Sequence, residues 1–160
     1  MVIKNRSIAF LFLFIFLILL NSCDVLLPAK LNNERPDANE LMEADIAFAN
    51  MSRQVGMKKA FLEYISDEGV LLRDDQYPLT GANSIDFLSL VDDTGYSISW
   101  KPTKGYIAKS GDLGFTYGIY EVKVADTLIK GTYVHAWEKQ ADGNWKLLID
   151  SSNQGVGESE

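Results

Sequence analysis

The chain has 160 residues, 47% hydrophobic and 23% charged, which is an ordinary globular composition with room for one domain around one core. Its formal net charge of −7 becomes −9 once the two cations of the leader, Lys4 and Arg6, are gone. So acidic a chain argues against a nucleic-acid partner, and the lack of a dense basic run argues against electrostatic docking to anionic lipid.

In chain order, Lys4 and Arg6 precede an unbroken apolar run over residues 8–20. The run is shorter than the roughly 20 residues of a membrane-spanning helix and matches the apolar core of a signal peptide. Cys23, the only cysteine, excludes an internal disulfide and a cysteine-built metal cluster. Leu20-Asn21-Ser22-Cys23 resembles the lipobox of bacterial lipoproteins. The resemblance implies that residues 1–22 are removed as a signal peptide and that the Cys23 thiol carries diacylglycerol. The chain would then be held on a membrane of the bacterial envelope, with its domain in the periplasm or at the cell surface. Buried acyl chain contributes about 0.8 kcal/mol per CH₂, so two or three chains anchor firmly where one does not. The alternative is an uncleaved signal anchor. Residues 23–36, with two prolines and no clear period, read as the lipidated N-terminus and a tether, and 155–160 as a frayed acidic tail.

The domain between them, residues 37–154, runs helices first and strands second. Asp37 with Glu40 three residues later predicts a capping box, and Leu41, Ala44, Phe48 and Met51 recur at helical spacing. A second helix is predicted over Met57 to Ile65, ended by Ser66-Asp67-Glu68-Gly69 and followed by a short strand at Val70-Leu71-Leu72. A loop over residues 74–81 leads to a third helix around Ala82 to Val91. Strands are predicted from Tyr96 to Lys101 and Gly105 to Lys109, either side of a Pro-Thr-Lys kink. Longer ones follow at Phe115 to Val124, Ile129 to Lys139 and Trp145 to Ser152. Helices followed by an antiparallel sheet make an α+β fold.

The last hairpin can be put in register. Ala141-Asp142-Gly143 suits a three-residue loop, which sets Glu138 opposite Lys146; a two-residue loop would set Lys139 against Lys146. Simple alternation then puts Tyr133, His135, Trp137, Trp145, Leu147 and Ile149 on the interior face. Val134, Ala136, Glu138, Lys146, Leu148 and Asp150 fall on the other, to be solvated or held in a subunit interface.

The order of elements, with the strings at residues 41–48, 60–72, 110–118, 131–137 and 142–150, resembles the SnoaL-like branch known as domain of unknown function 4440, in the nuclear transport factor 2-like superfamily. The similarity spans about residues 37–153. It implies a cone-shaped, curved antiparallel sheet wrapped around the N-terminal helices, with a pocket at the wide end and pairing into a homodimer through the outer sheet face. The superfamily includes ketosteroid isomerase, cyclases and dehydratases, and fold does not choose among them. In the isomerase the base lies on the first strand after the helices, with a tyrosine donor on the first helix. Those positions fall here near Arg73, with Asp74 beside it, and near Asp45, so the isomerase pattern is not reproduced unless a shift of one residue makes Asp74 the acid.

Two residues stand out as candidate acid or base. Asp45 lies on the apolar stripe of the first helix, where desolvation raises a carboxyl unless it is paired; the alternative is a structural acid bonded to backbone or a tyrosine. His135, the only histidine, lies mid-strand between Tyr133 and Trp137, either in a pocket or satisfied in the core. Tyr64, Trp100, Tyr117, Tyr133 and Trp137 are candidate ligand-binding aromatics. No spacing resembles a metal site, and no cofactor motif is present. Three functions follow: a membrane-tethered binder of a small apolar or aromatic molecule, a cofactor-free isomerase, cyclase or dehydratase, and a protein-interaction module. An open pocket where Asp45 and His135 converge favours the enzyme, an aromatic pocket without paired acid and base favours the binder, and a filled cone favours the module.

Overall fold

The computed structural model describes residues 35–156. The leader, Cys23 and most of the expected tether lie outside these residues, as does the end of the tail. The described residues carry a core of their own and fall within one compact unit, Glu34–Glu160.

Helix α1 spans Asn39–Val55 and buries Leu41, Asp45, Phe48, Ala49 and Ser52 along one stripe. The predicted capping box does not form. Asp37 precedes the cap position and accepts from the Asn39 backbone N–H at 3.1 Å, whereas Glu40 turns outward to the Lys139 ammonium at 2.7 Å. Helix α2, Met57–Tyr64, follows after the single residue Gly56. There φ is +95°, and a Cβ would stand 2.6 Å from the Asp93 carboxylate that accepts from the Lys58 N–H at 2.9 Å. Only glycine serves both ends of that junction.

Strand β1, Ile65–Leu72, begins where the second helix was expected to end. Ser66–Gly69, read from sequence as a terminator, is instead an irregular stretch within the strand, where the register against its neighbour shifts between Ile65 and Val70. A two-residue strand β2, Leu79–Thr80, lies in the segment expected to be loop, and α3 spans Ala82–Leu90. Four long strands follow: β3 Tyr96–Ile107, β4 Leu113–Val124, β5 Thr127–Lys139 and β6 Trp145–Gln154. The Pro-Thr-Lys kink is a bulge within a continuous β3.

The sheet order is β2-β1-β6-β5-β4-β3. The fold is α+β, as expected, but the sheet is mixed: β1 runs parallel to β6, and all other neighbours are antiparallel. Its inner face packs against the helices. Phe48 of α1 stands at the centre, with ring centroids of Trp100, Phe61 and Tyr64 at 4.6, 4.8 and 4.8 Å. Leu41, Leu71, Leu88, Trp137 and Leu147 close the core around it.

The last hairpin has the expected register, Glu138 opposite Lys146, and Gly143 takes φ +89° in its loop. The two charges do not pair, however: Lys146 donates to the Glu63 carbonyl, and Glu138 accepts from Gln140. Further along, the register shifts between Ala136 and Trp137, so that Leu148 is an extra residue on β6. This bulge overturns the expected faces. Asp150 turns inward opposite His135, and Ile149 turns outward opposite Ala136.

Candidate functional site

Six side chains from five parts of the fold meet under α2. Helix α1 supplies Asp45, β3 Trp100, β5 Tyr133 and His135, β6 Asp150, and the residue after β1 supplies Arg73. Tyr133 and His135 are two apart on one strand and therefore share a face. Asp45 is wholly buried because its helix turn carries it between Leu41 and Phe48. Its carboxylate accepts from Trp100 Nε1 at 2.8 Å, from the Tyr133 hydroxyl at 2.9 Å and from His135 Nδ1 at 3.0 Å.

The other ring nitrogen of His135, Nε2, lies 3.0 Å from Asp150 Oδ1, and Asp150 Oδ2 lies 2.6 Å from Arg73 Nη1. Both imidazole nitrogens thus face carboxylate oxygens, and both must carry hydrogen. The ring is an imidazolium clamped between two anions. Burial opposes its charge, but the hydrogen bonds and charges of Asp150 and Asp45 outweigh that and raise its pKa to about 9. Burial likewise works against Asp150, yet His135 and Arg73 hold its carboxyl below the usual range. Burial, then the charge of Asp45, pushes the Tyr133 phenol upward, so it remains a neutral donor. The order Asp45, His135, Asp150, Arg73 alternates in sign and sums to zero, which is how three buried ionisable groups can be held behind a partly exposed arginine.

One side of this chain of charges forms the floor of a cavity of about 240 Å³. Its walls are Met57, Phe61, Ile98, Trp100, Tyr120 and Val122; Tyr133, His135, Asp150, Ser152 and Arg73 make the polar end. Gly131 lets Tyr120 lie close over β5, for a Cβ there would stand 2.4 Å from the Tyr120 ring. Arg73 keeps 24% of its side chain exposed, so the polar end meets solvent.

Of the residues expected from sequence, Trp100, Tyr133 and His135 line the cavity, and Asp45 lies directly behind them. Three aromatics do not belong to it. Tyr117 projects from the outer sheet face opposite Val134, because the alternation of β4 turns Thr116 and Gly118 inward. Trp137 is fully buried, with its indole N–H on Thr116 Oγ1 at 2.9 Å, and fills core. Tyr64 stacks on Phe48 and faces a separate groove beside Trp145. Arg73 reaches the cavity, whereas Asp74 does not line it.

Asp150 and the role of Arg73 escaped the sequence reading. Counting by twos from Trp145 places Asp150 outside, and only the run Leu147-Leu148-Ile149, three apolar residues without alternation, signals the bulge that reverses it.

Chemically, His135 has no free lone pair, so at neutral pH it is no base. It holds Asp150 in place. Asp45, His135 and Asp150 do not converge on one point, because the ring stands between the two carboxylates.

No family model and no curated protein matches the sequence. Solved structures do match. A ketosteroid isomerase-like protein from Erwinia carotovora atroseptica has TM-score 0.60 at 16% identity, covering 74% of this chain and 99% of that one. An NTF-2-like protein of unknown function from Shewanella oneidensis has TM-score 0.56 at 12% identity, covering 72% and 97%. An LEH-like epoxide hydrolase from M. tuberculosis has TM-score 0.52 at 14% identity, covering 74% and 81%. At these identities the likeness is one of fold, and the fold is that of nuclear transport factor 2-like and ketosteroid isomerase-like proteins.

Proposed function

We propose that this chain is a lipid-anchored protein of the bacterial envelope whose domain binds a small apolar or aromatic molecule in the cavity beneath α2. The observation that carries the reading is an apolar, largely aromatic cavity ending on a buried, charge-balanced floor. Such a pocket, with few fixed polar groups, is the usual form of a small-molecule site. The anchoring part rests on the leader and Cys23 alone. Two copies pair through the outer sheet face, where Leu113, Phe115, Tyr117, Ile119 and Val134 form an exposed apolar stripe.

A histidine held between two carboxylates beside the cavity supports a second reading, a cofactor-independent isomerase, cyclase or dehydratase. In the resting site that reading has little to work with. The imidazolium is blocked at both nitrogens, and the carboxylate nearest the cavity, Asp150, is a weakened base.

Native mass spectrometry of residues 24–160, secreted by a bacterial host, tests the binding reading. The expected result is a reproducible extra small-molecule mass on a dimer. A clean apo mass overturns the binding reading and turns attention to protein partners, and a clean monomer overturns the pairing.

A further inference from the structure

We infer that the cavity takes an uncharged one- or two-ring molecule whose carbonyl-type oxygen accepts hydrogen bonds from the Arg73 guanidinium. The inference rests on the binding reading above and names the chemistry of its ligand.

Size sets the first limit. A cavity of about 240 Å³ lies below the ~300 Å³ at which ordinary ligand pockets begin. One or two rings fill it. The walls set the second limit. Phe61, Trp100 and Tyr120, with Ile98 and Val122, present ring faces and alkyl groups. The one indole N–H among them is turned away to Asp45.

The polar end decides the rest. Trp100 Nε1, the Tyr133 hydroxyl and both N–H groups of His135 are spent within the floor, on Asp45 and Asp150. Arg73 Nη1 is spent on Asp150 Oδ2 and on the Leu72 carbonyl at 3.0 Å. A guanidinium has five N–H donors. Among the described residues, Nε and Nη2 of Arg73 meet no acceptor, while the side chain stands at the cavity's polar end. Ser152 adds a hydroxyl that can donate or accept. The open guanidinium donors call for an acceptor on the ligand.

Charge balance excludes the obvious acceptor, a carboxylate. The floor already sums to zero, so a bound carboxylate leaves one uncompensated negative charge beside Asp150. A bound ammonium leaves one positive charge beside Arg73. Either must also be stripped of water. A ketone or amide oxygen satisfies the open N–H groups without disturbing the balance.

The test uses four naphthalene probes on residues 24–160 at about pH 7: naphthalene, 2-naphthamide, 2-naphthoate and 2-naphthylmethylammonium. Affinities are read from NMR titration of the Trp100 indole N–H. We expect the amide to bind at least about 10-fold more tightly than naphthalene, with neither ion binding more tightly than naphthalene. Arg73→Lys keeps a cation for Asp150 but removes the fork, and should cut the amide's advantage over naphthalene, both measured on the variant, about 10-fold. Naphthoate binding as tightly as the amide, or a lysine variant that retains the amide's advantage, overturns the inference. Should the lysine variant not fold, the ranking on the unaltered protein decides alone. Naphthalene binding with no gain for the amide sinks this inference and spares the binding reading, whereas failure of every probe to move Trp100 sinks both.

Discussion

His135 holds two protons because of its neighbours, and that makes the stability of the domain depend on pH in a set direction. Its folded pKa of about 9 stands above the ordinary 6.5. A raised value adds stability that is fully present below about pH 6.5 and is lost as pH climbs through 9, about 3 kcal/mol in all. Asp150 works the opposite way: its lowered value adds stability above the usual carboxylate range that is lost in acid. Urea unfolding at several pH values between about 6 and 9.5 should show the alkaline decline, and His135→Gln should flatten it. A decline of the same size in the variant would assign the effect to another group. At this scale the sequence was partly legible. Asp45 stood out because an acid on an apolar stripe demands partners, and a tyrosine partner was among the readings. That its other partners are Trp100 and His135, 55 and 90 residues away, depends on which strands the sheet places beside α1, which no local pattern encodes.

Strand β6 shows what a single extra residue does. The turn chemistry of Ala141-Asp142-Gly143 was readable because left-handed glycine and charge opposition select one register. Beyond Trp137 the alternation breaks at Leu148, and every later side chain changes face. The two registers differ in what mutations cost. In the bulged strand Ile149 faces outward, so Ile149→Thr should cost no more than about 1 kcal/mol. Asp150→Ala leaves His135 and Arg73 facing each other without their shared anion and should cost about 3–5 kcal/mol. Chemical denaturation of both variants checks the pair, and a reversed order of costs would mean that the strand is unbulged. The same kind of masking hid the start of β1: Ser66-Asp67-Glu68-Gly69 has a terminator's composition, and the strand carries it as an irregularity rather than ending.

For the whole molecule, the proposal joins an anchor read from sequence to a cavity read from structure. The α+β class was legible because helical and alternating periods are segregated along the chain. The parallel pairing of β1 with β6 was not, since neither strand's own residues specify a partner so distant. The anchor is the most directly testable part. Cys23→Ser should leave the protein soluble in the envelope fraction or as unprocessed precursor, seen by fractionation and by the mass of the N-terminal peptide. Processing and membrane association like those of the unaltered chain would remove the lipid from the account.

That parallel pairing also bears on how the molecule comes to exist. Val70 meets Ile149 only after about eighty intervening residues have been made, and contacts so far apart in sequence are the slow ones, because the chain entropy of closing the loop is lost before any contact repays it. Arg73 follows β1 and Asp150 lies on β6, so the ion pair at the polar end of the cavity can close only when the last strand docks. Until then His135 has only one of its two carboxylate partners, and a half-made domain gains little from its charge. The polar end of the cavity is therefore completed by the same strand that completes the sheet, since Asp150 and Ser152 both lie on β6.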